Sequence, residues 1–95
     1  MEITSGSFCW NDEKEAENIL KHGVSFSHAA WAFQDPCRVV FRDAKHSGTE
    51  ERWFCIGKVD EKMMTVRFTY RGDKIRIIGS GYWRSARRYY HEEKF

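Results

Sequence analysis

Proline and cysteine are scarce in this chain, and long apolar runs are missing. No stretch approaches the ~20 apolar residues that a membrane-spanning helix needs, so no membrane association is expected. The three cysteines, Cys9, Cys37 and Cys55, are odd in number and far apart. No Cys-x-x-Cys pair occurs and the four histidines lack ligand spacing, which argues against a disulfide framework or a zinc site. Buried free thiols are the expectation, and no cofactor is expected. Residues 1–7 lack a basic region followed by an apolar run, so no signal peptide is read there and the expected location is cytoplasmic. Repeats and linkers are absent as well.

What remains is a chain of 95 residues, read as one domain over residues 1–95. With 41% hydrophobic and 16% aromatic residues it can build a core. A net charge of +2 conceals an asymmetry. Residues 1–61 hold 7 Lys/Arg against 11 Asp/Glu, and residues 62–95 hold 9 against 3. A basic C-terminal third on an otherwise acidic chain points to a localised anion-binding surface.

That third reads as strands. Glu51–Val59, Lys62–Arg71 and Lys74–Ser80 alternate in character, and Gly72-Asp73 has the composition of a two-residue hairpin link. Closing the hairpin there pairs Arg71 with Lys74, Thr69 with Arg76 and Phe68 with Ile77. Because side chains alternate across a strand, Arg67, Thr69, Arg71, Lys74 and Arg76 fall on one face. Val66, Phe68, Tyr70, Ile75 and Ile77 fall on the other. A second link through Asp60-Glu61 adds Arg52, Phe54 and Lys58 to the basic face, and Trp53 and Cys55 to the apolar one.

Upstream, Ser7–Trp10 reads as an edge strand. Asp12 reads as a helix N-cap with Glu15 completing a capping box. Ala16, Ile19 and Leu20 are spaced as a buried helical stripe, and Gly23 ends that helix. Ser25 can cap a shorter helix, Phe26–Phe33, burying Phe26, Ala29, Ala30 and Phe33. A strand at Arg38–Arg42, a polar loop at Asp43–Glu50 and a basic helix at Trp83–Glu93 complete the order. This is an α+β pattern, an antiparallel sheet with helices packed against it.

Several ordered signatures carry a family resemblance. They are Phe8-Cys9-Trp10-Asn11-Asp12, then Asn18 with Lys21-His22-Gly23-Val24-Ser25-Phe26, then Phe33-Gln34-Asp35 and Asp43 with His46. Glu50-Glu51-Arg52 followed by Gly57, Thr69-Tyr70-Arg71-Gly72 and Arg76-Ile77-Ile78 continue the series. Together they resemble the BrnT family, the toxin half of type II BrnT/BrnA toxin–antitoxin pairs, and Lys-His-Gly-Val-Ser-Phe is the most specific piece. The resemblance implies a RelE-like fold with two N-terminal helices on one face of the sheet and a C-terminal helix. It implies metal-independent RNA cleavage that inhibits translation. The implied partners are RNA, a cognate BrnA-like antitoxin, and operator DNA only indirectly through that antitoxin. Many members have Ser-Ala-Arg after the Arg-Ile-Ile run, where this chain has Gly79-Ser80-Gly81-Tyr82-Trp83-Arg84. The family arginine is then replaced by Gly81 or displaced to Arg84.

Metal-free RNA cleavage needs a proton acceptor for the ribose 2′-hydroxyl, cations for the charge building on phosphorus, and a proton donor for the leaving oxygen. Arg52, Arg71 and Arg76 are the candidate cations. Glu50 is the candidate base, two residues from Arg52 and on its face if the strand includes both. His46 is a candidate acid or base. Arg67, Lys74, Lys21, His22 and Arg84 are candidate RNA-binding residues. The plainer readings are a surface ion pair for Glu50 and Arg52, and helix-end cations for Lys21 and His22. For Trp83, Tyr89 and Tyr90, core packing stands beside base stacking. A non-catalytic module that uses the same basic face to hold an acidic protein or nucleic acid is the competing function. It would have no need of Glu50 or His46.

Overall fold

The computed structural model describes residues 1–93. The strands are β1 (Glu2–Ser5), β2 (Phe8–Asn11), β3 (Val39–Arg42), β4 (Trp53–Val59), β5 (Lys62–Arg71) and β6 (Lys74–Gly81). The α-helices are α1 (Asp12–His22), α2 (Phe26–Ala29) and α3 (Ala86–Glu93), with 3-10 turns at Ala30–Gln34 and Ala44–His46. One six-stranded sheet runs in the order β1-β2-β6-β5-β4-β3. No helix among the described residues is long and apolar enough to cross a membrane.

The β5–β6 hairpin has the expected register: Arg71 faces Lys74, Thr69 faces Arg76 and Phe68 faces Ile77. Beyond Phe68 the register shifts, so that Arg67 meets Gly79 and Ile78 is the extra residue of a bulge. The β4–β5 link is as tight. Asp60 and Glu61 both adopt positive φ, 51° and 67°, between paired Val59 and Lys62. That conformation suits the twist of a two-residue hairpin.

The N-terminal end departs from expectation. Ser7–Trp10 is not an edge, and the sheet is not wholly antiparallel. β2 lies parallel to β6, with Phe8 beside Ile75 and Cys9 beside Arg76, while β1 forms the edge. Trp10 is buried in the core and Phe8 packs against that core, while Cys9 on the other face is buried too, so β2 is covered on both faces. The polar Glu2–Ser5 segment can border solvent at the edge position.

Helix α1 is also turned from the expected face. Its N-cap is Asn11, whose Oδ1 accepts from the backbone of Glu13 (2.9 Å) and Lys14 (3.0 Å). Asp12 instead takes the N-terminal ammonium at 2.8 Å. Ala16, Ile19 and Leu20 are exposed, Leu20 by 88%. The sheet side is polar and fully bonded. Asn18 Nδ2 donates to the Val24 and Ser80 carbonyls, both at 2.9 Å, and Asn18 Oδ1 accepts from Ser80 N at 3.1 Å. Glu15 accepts from Trp10 Nε1 (3.2 Å) and Phe26 N (2.8 Å). Buried hydrogen bonds of this kind fix a helix rotation that hydrophobicity alone does not encode.

The main core lies on the face shared by Trp53, Cys55, Val66, Phe68 and Ile77. Phe26 and Ala29 of α2 close it as the spacing predicts, Ala32 of the following 3-10 turn joins them in place of Ala30 and Phe33, and those two pack against the cluster only partly buried. Burying a side chain such as Phe26 is worth roughly 1.5–3 kcal/mol. The 3-10 turn crosses β4 so closely that a Cβ on Gly57 would lie 2.3 Å from the Ala32 carbonyl oxygen. Cys9 and Cys55 are buried as expected, and burial pushes the Cys55 thiol up to about 12. Cys37 is exposed, contrary to expectation.

The opposite face is not uniformly basic. Val39, Ile56, Ala86 and Tyr90 form a second apolar cluster on it, with Phe41 and Met63 packed alongside. Helix α3 sits there and begins at Ala86, not Trp83. Tyr90 Oη donates to Asp35 Oδ2 at 2.7 Å, and the same oxygen accepts from Lys58 N at 2.7 Å. This face therefore has an apolar half beneath α3 and a polar half carrying the arginines.

Candidate active site

Between the two halves opens a cleft of about 650 Å³. Its floor is Phe54, Ile56, Thr65 and Arg67 from β4 and β5. One wall is Trp83, Ser85, Ala86 and Tyr89, and the other is Phe41, Asp43, Lys45 and His46. The tripeptide Ser85-Ala86-Arg87 at the start of α3 has the Ser-Ala-Arg sequence expected directly after Ile78.

The 43–52 loop builds the polar wall, and it is tied at its base. Asp43 N donates to the Arg52 carbonyl (2.7 Å), which continues the β3–β4 ladder by one bond. Ser47 Oγ donates to the Asp43 carbonyl (2.8 Å) and accepts from Arg52 N (3.0 Å). Asp43 then caps the short turn that carries His46. Its Oδ1 accepts from His46 N at 3.3 Å and its Oδ2 lies 2.9 Å from His46 Nδ1. A carboxylate only accepts, so this contact places a hydrogen on Nδ1 and leaves Nε2 as the basic nitrogen. Asp43 is only 6% exposed, and Arg67 Nη2 reaches it at 3.9 Å. The Arg67 guanidinium also lies over the Phe54 ring, 6.0 Å from its centre. A buried acceptor, an imidazole and a guanidinium thus meet beside aromatic rings.

The same loop follows the outward row of β5 one residue pair at a time. Asp43 meets Arg67, the Glu51 carbonyl accepts from Thr69 Oγ1 at 2.6 Å, and Glu50 meets Arg71 at 3.2 Å. On the next strand Arg76 grips Glu2 with both terminal nitrogens, Nη2 to Oε2 at 2.9 Å. Those bonds hold the Glu2 carboxyl down at about 2 and raise the Arg76 guanidinium further. Of the expected basic row, Arg67, Arg71 and Arg76 therefore already carry internal counter-charges.

The sequence-derived candidates divide accordingly. His46 and Arg67 come together in the cleft. Glu50 and Arg71 form a pair on its outer side. Glu50 and Arg52 precede the first residue of β4, so strand alternation does not put them on one face. Arg52 anchors the loop through its backbone, and its side chain has no ion pair among the described residues. Arg76 is committed to Glu2 at the far end. Lys74 Nζ donates to the Gly6 carbonyl at 2.9 Å and ties β6 to the β1–β2 turn. Lys21 is exposed at the end of α1, and His22 packs edge-on against Trp83 at 5.3 Å. Arg84 lines a neighbouring hollow of about 670 Å³ with Lys62 and Arg87, and Trp83 borders both hollows. Among the aromatics, Tyr90 is core, whereas Tyr89 and Trp83 line the cleft.

Asp43 was missing from the sequence-derived site. Its spacing of three from His46 within a polar loop is the signal that could have found it. A family model described as ribonuclease toxin, BrnT, of type II toxin-antitoxin system matches residues 10–93. No curated protein matches the chain.

Proposed function

The chain belongs to the BrnT ribonuclease-toxin family of type II toxin–antitoxin systems, and from that premise we propose that it cuts RNA in the cleft between α3 and the 43–52 loop. The observation that carries this reading is the His46–Asp43 contact at 2.9 Å with Arg67 beside it. The ribose 2′-oxygen attacks the neighbouring phosphorus, the bond from phosphorus to the 5′-oxygen breaks, and a 2′,3′-cyclic phosphate and a 5′-hydroxyl result. His46 Nε2 takes the 2′-hydroxyl proton and returns one to the leaving oxygen. Asp43 orients the ring and stabilises its charged form. Arg67 neutralises charge growing on the non-bridging oxygens. The chain's own groups carry every step, so the cleavage needs no metal. Incubating the pure protein with RNA in EDTA tests it: products ending in cyclic phosphate are expected, and intact RNA would sink the reading. Cutting messenger RNA would inhibit translation in the cytoplasm, and a BrnA-like antitoxin, itself the operator-binding partner, would neutralise the toxin.

The pair Glu50–Arg71 takes a different part. Arg71 binds phosphate, and Glu50 is its resting counter-ion, exchanged for the substrate. Glu50→Gln is then expected to keep the cleavage rate within about threefold and to tighten RNA binding slightly, since an exposed pair is worth under ~1 kcal/mol. A general base lost at this position would lower the rate by roughly 10²–10⁴ instead. Single-turnover rates on the parent and the variant separate the two outcomes.

Lys62, Arg84 and Arg87 extend the RNA path beyond Trp83. Each phosphate neutralised on a single strand adds roughly 0.7 to the slope of log affinity against log salt. Arg84→Gln and Arg87→Gln are each expected to reduce that slope by about this amount. Arg76→Gln leaves the slope alone and lowers the melting temperature, because Arg76 is held by Glu2. Anisotropy titrations of labelled RNA across salt concentrations measure it. An unchanged slope in the Arg84 and Arg87 variants would remove this surface from the path.

A further inference from the structure

We propose that the floor of the cleft is a base-reading subsite, in which one nucleobase of single-stranded RNA enters beside the Phe54 and Tyr89 rings and Thr65 Oγ1 bonds its edge. This inference rests on the ribonuclease reading for which nucleotide the base belongs to, the one whose phosphate meets Arg67.

Thr65 is 4% exposed, and its Oγ1 is buried without a hydrogen-bond partner among the described residues. A buried hydroxyl left unbonded costs on the order of 1–3 kcal/mol, so it calls for an explanation. Among the described residues the other such atom is Arg67 Nε, two residues along the same face of β5. Both residues line the same cleft. A protein that keeps two unmet polar groups side by side on an aromatic-walled floor has the layout of a recognition site, not of a core.

The surrounding chemistry selects the ligand. Tyr89 stacks on Phe41 with centres 4.9 Å apart and 29° between planes, and Phe41 leans on Phe54 at 5.3 Å and 35°. Packed on one another, the three rings make a continuous aromatic surface, and bases stack on the open side of such surfaces. Stacking accepts any base, so discrimination needs a polar group that reads an edge. A hydroxyl both donates and accepts, and Thr65 supplies it once its side chain turns to another staggered rotamer that faces the base, since Oγ1 is covered in the unliganded protein. Two residues along a strand span about 7 Å, of the order of the distance from a base edge to its own phosphate. Thr65 and Arg67 can therefore hold the two ends of one nucleotide, with His46 beside the phosphate end.

The test titrates the parent, Thr65→Val and Thr65→Ser with each of the four nucleoside 3′-monophosphates, following amide shifts by NMR. The parent is expected to bind one nucleotide at least about tenfold tighter than the least favoured, the worth of one well-made hydrogen bond. Thr65→Val is expected to level that preference to within about threefold and to melt no lower than the parent, because it removes an unbonded hydroxyl. Thr65→Ser is expected to keep the preference, and stands in for the hydroxyl test if the valine variant fails to fold. Equal affinity for all four nucleotides in the parent, no binding at all, or a preference that survives Thr65→Val would overturn the subsite. The EDTA cleavage assay is scored separately. A protein that discriminates nucleotides yet leaves RNA intact keeps the subsite and loses the ribonuclease chemistry. One that cuts RNA while Thr65→Val retains its base preference does the reverse.

Discussion

Replacing His46 by alanine is expected to slow RNA cleavage by on the order of 10²–10⁴. The ring stands at the rim of the cleft on an exposed turn, so the loss should come without a loss of fold. Surface changes of this kind usually stay within about 0.5 kcal/mol. Asp43→Asn carries a related but distinct signature. An amide at position 43 can donate to Nδ1, which moves the ring hydrogen to Nε2 and removes the base. Its rate should fall by roughly 10² or more. It should also loosen the loop, since Asp43 caps the turn and faces Arg67. Arg67→Ala should lose about 10²–10³ through the missing charge stabilisation. Rates and thermal melts on the same samples distinguish these effects. A His46→Ala protein that cuts RNA at the parental rate would dismiss the Asp43–His46 pair from the chemistry.

Gly57→Ala is expected to give the largest loss of stability of any single methyl addition. The new Cβ would sit 2.3 Å from the Ala32 carbonyl oxygen, 3.1 Å from its carbon and 3.3 Å from its Cα. All three atoms are backbone, so no side chain can swing away. Either β4 or the 3-10 turn must shift, and both are bound into the main core. Overpacking of this severity costs about 3 kcal/mol or more, which for a domain of this size lowers the melting temperature by roughly 12–24 °C. Gly48→Ala is the matched control, because a Cβ there meets nothing within 4 Å. Scanning calorimetry of the two variants checks the difference. Equal melting temperatures would mean that the turn does not cross β4 this closely.

The C-terminal hairpins were legible because local chemistry and alternation agree there. Gly72-Asp73 fixes the link, and Phe68 opposite Ile77 follows from it. Helix α1 was misread by the same logic that succeeded on the strands. Ile19 and Leu20 have core-like spacing, yet Asn18 and Glu15 face inward because Ser80, Val24, Trp10 and Phe26 present groups they must bond. Those partners come from other elements, and up to 62 positions separate Asn18 from Ser80. Periodicity has no access to them. Strand β1 went unseen for a related reason: Glu2–Ser5 has no alternating apolar pattern and is ordered by its neighbour. At the site, alternation correctly aligned Arg67, Thr69 and Arg71. It could not tell that the 43–52 loop would lie along that row and supply Asp43, the Glu51 carbonyl and Glu50 in turn.

The parallel seating of β2 on β6 also sets an order of events during synthesis. Phe8 and Trp10 leave the ribosome early, but the strand that receives β2 carries Ile75 and Arg76. Until those residues emerge, the N-terminal hairpin has one finished edge and one waiting edge. Helix α1 waits with it, since Ser80 has yet to appear for Asn18. The β4–β5–β6 meander can close from neighbouring contacts within microseconds once translated, whereas docking the first strand spans most of the chain and belongs to the slower, non-local class of events. The cleft is floored by the meander and lined by α3, so it too is assembled last. A nascent chain that has not yet reached Tyr89 therefore lacks one wall of the cleft in which RNA is proposed to be cut.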